Sequence, residues 1–244
     1  MFKAELPALA LPPPAVTLLF LLVRGIGLRA ALNSVPIRIH VGGTRGKSSV
    51  CRLIAAELKA GSIRTIAKTT GTDPMLVLPD GGLRPWRRMG PPSIGEQRRF
   101  ALLARRLEAR ATVLECMAIR PEFVRASERD LVRATIAVIT NIRPDHLEDT
   151  PSTEAIAKGF LGMMPENGVI VVSDDALSPA LRQAAQQRGT AVVAVKTSGL
   201  RADAANLAIL RAVCAAAGAG AAAPHPHPVA TDPGAFALTD LDLH

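Results

Sequence analysis

Residues 41–50 read VGGTRGKSSV, and their types and spacing suit phosphate binding. Glycines let a backbone pass close to a phosphate with its N–H groups turned inward, and the positive end of a following helix adds to them. Lys47 supplies a point charge and Ser48 a hydroxyl for Mg²⁺. The pattern is the short form G-T-x-G-K-S, Gly43 to Ser48; the longer form G-x-x-x-x-G-K-[ST] would need glycine where Val41 stands. A plain glycine turn is the competing reading, but it gives no reason for Lys-Ser directly after the last glycine.

Three further clusters come after apolar runs. AKTTGTDP, residues 67–74, offers the hydroxyls of Thr69 and Thr70 beside Gly71, as a second polar loop over a nucleotide or as an ordinary turn. Glu115 ends the run ATVLE, where an acid can hold Mg²⁺ directly or through water, or cap a neighbouring group. ITNIRPDHLED, residues 139–149, brings Asn141, Asp145 and His146 after a third run. His146 there is a metal ligand, a general base or a structural histidine. A basic block, Arg84, Arg87, Arg88, Arg98, Arg99, Arg105, Arg106 and Arg110, faces only Glu96 and Glu108. Its helical members read as a solvated face, and its loop members, Arg84 to Arg88, could receive a polyanion.

The elements that must position these residues alternate between strand and helix. Strands are expected at 37–41, 63–67, 111–114, 134–140, 169–172 and 191–195. Helices are expected at 47–60, 95–110, 153–164, 176–188 and 203–216, with a long loop at 69–92. This alternation predicts an α/β fold, a mostly parallel sheet with helices on both faces. Ligands of such sheets gather at the carboxyl ends of the strands, where the phosphate loop begins.

The chain has 244 residues, 48% of them hydrophobic, which is enough for a substantial core. Six Phe, one Trp and no Tyr leave little for stacking on bases, and no nucleic-acid-binding motif is present, so a nucleic-acid role is disfavoured. The net charge of +8 then points to a membrane surface or an acidic substrate. Cys51, Cys116 and Cys214 are widely spaced, without a C-x-x-C, so neither a zinc knuckle nor a disulfide framework is indicated. Residues 6–23 carry no charge but contain four prolines, Pro7, Pro12, Pro13 and Pro14; a helix starting near Pro14 and running through Gly25 and Gly27 would carry Arg24 and Arg29. It reads as a membrane anchor or surface helix, a packing helix or a cleaved signal, and its arginines favour a cytoplasmic position for the rest of the chain. From residue 215 the composition becomes Ala-, Gly- and Pro-rich, which reads as a linker; His225 and His227 lack a third ligand and read as part of a solvated tail.

Taken together, G-T-R-G-K-S, K-T-T-G-T-D, S-I-G-E-Q, E-C-M-A and T-N-I-R-P-D-H-L, in this order, resemble the Mur ligase superfamily and within it the CapB/PgsB poly-γ-glutamate synthases. Asn206-Leu207-Ala208 and Asp232-Pro233-Gly234 are similar too, so the resemblance covers about residues 35–237. It implies a hydrophobic N-terminal helix or membrane anchor over 1–35, a P-loop NTPase-like Mur ligase central domain over 36–217, and a linker with the start of a C-terminal domain over 218–244. It also implies a ligase that phosphorylates a carboxylate with ATP and lets an amine attack the acyl phosphate. The partners would be glutamate, the anionic poly-γ-glutamate chain and other membrane subunits of a synthase and export complex, at the cytoplasmic face of the membrane.

By position, Gly43, Thr44, Gly46, Lys47 and Ser48 would hold the β- and γ-phosphates, with Arg45 and Ser49 in the same loop. Ser48, Glu115 and His146 would hold Mg²⁺, Lys47 and His146 would serve catalysis, and Asn206 would sit near the adenine. Thr69, Thr70 and Asn141 are further candidates. Many Mur ligases use a modified lysine after the D-H motif; Lys158 lies in that region at a different spacing and reads as a surface helix lysine. The family's C-terminal domain closes over ATP, and the sequence is expected to stop where that domain would begin. A nucleotide-binding module without turnover, acting with a membrane partner, and another P-loop enzyme such as a kinase are the alternative readings.

Overall fold

A computed structural model of the protein describes residues 13–118, 120–143 and 153–218. Eight strands form one sheet in the order β4-β3-β2-β5-β1-β6-β7-β8. They are β1 (Ile37–Gly42), β2 (Thr65–Lys68), β3 (Met75–Val77), β4 (Leu83–Pro85), β5 (Ala111–Glu115), β6 (Ile136–Ile139), β7 (Val169–Ser173) and β8 (Ala191–Val195). The pairings β2–β5, β5–β1, β1–β6, β6–β7 and β7–β8 are parallel; only β2–β3 and β3–β4 run antiparallel. The helices are α1 (Pro13–Asn33), α2 (Lys47–Ala60), α3 (Glu96–Arg106), α4 (Pro121–Ala126), α5 (Thr153–Phe160), α6 (Pro179–Gln187) and α7 (Ala202–Ala216).

Both faces of the sheet are covered, and the period of two along each strand divides the core. Ile39, Val41, Val113, Val138 and Val171 pack with Val50, Ile54 and Leu58 of α2 and with Ile209, Leu210 and Val213 of α7. The alternate residues Ala137, Ile139, Ile170 and Val172 face Phe160, Met163, Met164, Leu181 and Ala185 on the other side. Ile66 and Leu114 meet Phe100, Ala104 and Trp86 there as well. The expected mostly parallel α/β sheet is therefore what the structure shows.

Three differences have physical causes. The expected 69–92 loop contains the β3–β4 hairpin, whose strands are three residues each and carry too little pattern to stand out. Residues 121–132, given no element from the sequence, form α4 and a π-helical continuation, Ser127–Val132. Helix α3 stops at Arg106 rather than at 110, because Glu108 takes a left-handed conformation with φ 52°.

Helix α1 stands apart in its packing. Ala31 and Leu32 near its end are buried with Ala101 of α3, while Val16, Leu18, Leu19, Phe20, Leu21, Leu22, Val23 and Ile26 are 50–67% exposed. Six consecutive apolar residues, 18–23, cover every side of a helix, so no single packing face could hide them. The window Pro14–Asn33 has a mean hydropathy of 1.9 and is only 11% buried.

Candidate nucleotide-binding site

Strand β1 runs between β5 and β6, and the chain leaves its carboxyl end into the 43–46 loop and then α2. That end lies where the connections diverge, to β2 on one side and, after β5, to β6 on the other; open α/β sheets hold ligands in such crevices. The loop requires its glycines. Gly43 has φ 125° and Gly46 has φ 77°, and a Cβ at Gly43 would run into the Thr140 hydroxyl and the backbone nitrogens of Thr140 and Asn141. Gly46 is also the N-cap of α2, so the first N–H groups of that helix open toward the loop.

The loop is braced from β6. Thr44 donates from its hydroxyl to Asn141 Oδ1 at 2.6 Å, and the Arg45 N–H donates to the same oxygen at 3.1 Å. Asn141 Nδ2 and the Thr140 hydroxyl both donate to the Arg45 carbonyl, at 3.0 and 2.7 Å. The Arg45 side chain is exposed and Ser49 is half-buried. Lys47 Nζ donates to the carbonyls of Gly43 and Thr44 at 2.9 and 3.2 Å, which parks its ammonium over the loop.

Glu115, at the end of β5, is 4% exposed and accepts from the Ser48 hydroxyl at 2.8 Å and from the Thr70 N–H at 2.7 Å. Gly43, Thr44, Lys47, Thr70, Gly71, Arg88 and Glu115 line a cavity of about 310 Å³, together with the apolar Val124, Ile156 and Phe160. Thr69 is buried outside it, bonded to both backbone groups of Met75 across its own turn, so of the two threonines only Thr70 reaches the cavity. Asn206, on α7, lies beside the loop's last glycine: a Cβ on Gly46 would be 3.3 Å from its Oδ1. Asp145 and His146 lie outside the described residues. Lys158 is exposed and pairs with Glu154 one turn away at 3.0 Å, as expected of a surface helix lysine.

Arg88 was only one of a basic block in the sequence; here it is a rim residue. Its Nε donates to Glu96 Oε1 at 3.2 Å and its Nη2 to the Gly71 carbonyl at 3.2 Å, leaving further N–H groups toward the cavity. Glu96 also pairs with the buried Lys68 at 3.0 Å. Burial lowers the Lys68 pKa against the pull of Glu96. Arg99 lies 4.1 Å and Lys68 5.2 Å from the Trp86 ring centre, so the same few residues fix the hairpin that carries Arg88. The Glu in S-I-G-E-Q was the signal for this arrangement.

Among the described residues no group of three or more His, Cys, Asp or Glu is placed to hold a metal. A hydroxyl beside one buried carboxylate nevertheless fits Mg²⁺, which commonly takes one or two carboxylates, water and the phosphates of its substrate.

A glycine loop braced at a sheet switch point, with a helix N-terminus, a lysine and a buried glutamate bonded to the next serine beside one cavity, defines a nucleoside-triphosphate-binding α/β domain. The Mur ligase middle domain family matches residues 41–212, and the chain belongs to that family. It is 34% identical over 186 residues to the capsule biosynthesis protein CapB of Bacillus anthracis, covering 73% of this chain and 40% of that protein. It is also 34% identical over 170 residues to the PGA synthase CapB of Bacillus subtilis (strain 168), covering 68% and 43%. The chain thus spans about two fifths of the length of these relatives. Among solved structures it superposes on MurF from Acinetobacter baumannii with a TM-score of 0.60 at 16% identity, over 81% of this chain and 47% of that one. A bifunctional folylpolyglutamate synthase/dihydrofolate synthase with Mn, AMPPNP and L-glutamate bound gives 0.58 at 16% identity, over 91% and 64%. Both likenesses establish the fold.

Proposed function

We propose that this chain is the ATP-binding part of an acid–amino-acid ligase that extends poly-γ-glutamate through an acyl phosphate. The observation that carries the proposal is Glu115, which accepts from the Ser48 hydroxyl and lines one cavity with Gly43, Thr44 and Lys47, in a chain similar to two CapB proteins.

The loop's backbone N–H groups and the α2 N-terminus receive the β- and γ-phosphates, with Lys47 released from its carbonyl contacts to neutralise them. Asn206, beside Gly46, would meet the base. A terminal carboxylate oxygen of the polymer attacks the γ-phosphorus, and the bond to the ADP oxygen breaks. The amino nitrogen of glutamate then attacks the acyl carbon, phosphate leaves, and the nitrogen loses its proton. Two anions must meet in the first step, so positive charge has to be supplied by the chain. Lys47 and Arg88, which both line the cavity, supply it. Mg²⁺ held by Ser48, Glu115 and His146 would add further neutralisation of the phosphates.

Helix α1 serves in this reading as a membrane helix that keeps the domain at the cytoplasmic face, beside the other subunits of a polymer synthase and export complex. Its exposed apolar residues and its arginines, Arg24 and Arg29, support that.

The test is ADP release by the full chain with Mg²⁺ and ATP, with and without glutamate and its polymer, using Lys47→Ala as control. Release that needs glutamate and is lost in the variant supports the ligase. A phosphorylated small molecule with no amide formed would overturn it in favour of a kinase. ATP binding without release would assign turnover to a partner.

A further inference from the structure

The end of the domain opposite the phosphate loop holds the larger hollow, about 1060 Å³. Its floor is made by the amino ends of β1, β6 and β7, and one wall by Gly25, Leu28, Arg29 and Leu32 of α1. Six arginines line it: Arg29, Arg38, Arg125, Arg129, Arg133 and Arg188. Three acids do so too, and two are already engaged. Glu128 gives one oxygen to His40 and the other to the Ala134 N–H, and Asp130 pairs with Arg129; Glu166 is the third.

Some of the arginines also have structural work. Arg38 donates to the carbonyls of Leu32, Val35 and Arg133, tying the end of α1 to the sheet, and Arg188 donates to the Met164 carbonyl. Arg29, Arg125 and Arg133 are exposed and form no ion pair among the described residues. They stand immediately beyond the apolar stretch of α1, which ends at Val23 with Arg24 next. An apolar rod that continues directly into a concave cluster of cations matches the two layers of a bilayer leaflet, hydrocarbon and then anionic headgroups.

We propose that this hollow docks on the anionic lipid headgroups around α1, so that the amino ends of the strands face the membrane and the phosphate loop faces away. The inference rests on the reading of α1 as a membrane helix under Proposed function. Strand β1, six residues long, then sets the phosphate loop about 20 Å farther from the bilayer than the hollow. The nucleotide cavity is left open to solvent and to whatever closes over it.

The experiment uses the full chain assembled into lipid nanodiscs of phosphatidylcholine alone or mixed with phosphatidylglycerol. Arginines are labelled with phenylglyoxal and read one by one by mass spectrometry. Arg29, Arg125 and Arg133 are expected to label about five-fold more slowly in the anionic discs. Arg87 and Arg201, which do not line the hollow, should label at one rate in both. The Arg125→Gln, Arg133→Gln double variant should still enter discs but lose the anionic protection at Arg29.

Equal labelling in the two compositions, with the chain embedded in both, overturns the docking surface and leaves the membrane helix standing. Protection at Arg87 and Arg201 instead reverses the orientation and overturns it as well. Protection on phosphatidylcholine discs by added inorganic phosphate or by soluble polyglutamate would make the hollow a site for a soluble anion, against the proposal. Failure to enter discs of either kind removes the membrane helix and the docking surface together.

Discussion

The Ser48 hydroxyl donates to Glu115 Oε2 at 2.8 Å, joining the first turn of α2 to the end of β5 across 67 residues of sequence. The pair brings together two oxygens of the hard-donor kind that Mg²⁺ prefers. Ser48→Ala and Glu115→Gln should each weaken Mg²⁺-dependent nucleotide binding by at least about ten-fold, with little change in binding measured in EDTA. Titration calorimetry with and without the metal separates the two. Equal losses in both conditions would make the pair a loop support only.

Asn141 makes its contacts with the loop backbone and with the Thr44 hydroxyl, so it supports the phosphate cradle from β6. Asn141→Ala removes three hydrogen bonds at a half-buried position and should cost about 1–2 kcal/mol of stability. Nucleotide affinity should fall with it, because the loop would have to be ordered on binding. Chemical denaturation and nucleotide binding measured on the same variant check this. Full stability with lost affinity would show that Asn141 meets the nucleotide directly.

Range along the chain decided how much was legible in the sequence. Strands such as Ile136–Ile139 and Val169–Ser173 are runs of apolar residues, and the glycines and lysine of the phosphate loop are contiguous, so a local reading finds them. Residues 121–132 were not legible because their charges suggest solvent. Glu128 is nevertheless 4% exposed, its charge spent on His40, which is 88 residues away. The bracing role of Asn141 was hidden in the same way, since its partners lie 96 and 97 residues back. Thr69 and Thr70 are adjacent and look equivalent, yet the direction of β2 at its end sends one into a turn and the other to the cavity. The half-buried cation Arg88 gained meaning only through Glu96 and Lys68, which neither spacing nor composition brings together.

That last group makes a further prediction. Lys68 is 0% exposed and sits beside Glu96, with Arg88 on the other carboxylate oxygen. Glu96→Gln would leave the buried ammonium beside the Arg88 guanidinium without its paired anion. The loss should be on the order of 3 kcal/mol. Because Arg99 and Lys68 flank Trp86, the one tryptophan, its fluorescence should shift in the folded variant. The double change Lys68→Met, Glu96→Gln should recover much of the stability, as replacement of both partners of a buried pair often does. Denaturation curves of the three proteins decide it; a single variant as stable as the parent would show that the pair carries no net strength.

His40 gives the molecule a pH dependence of defined sign. It is 0% exposed, with Nδ1 2.8 Å from Glu128 Oε2. Burial opposes its charge, but Cys116 and Glu128 outweigh burial and raise its pKa from 6.5 to about 10. A group whose folded pKa is raised adds stability that is complete below its unfolded pKa and lost as pH rises through the folded one. The His40–Glu128 contribution should therefore be whole below pH 6.5, shrink between pH 6.5 and about 10, and be absent at higher pH. Cys51, whose buried thiol is pushed well above its usual range, adds a separate decline above pH 9 as the unfolded chain loses that proton. The difference in thermal midpoint between the parent chain and His40→Gln isolates the histidine. It should be largest near pH 6 and close steadily toward pH 10, and a difference that is constant across this range would mean that His40 stays neutral in the folded protein.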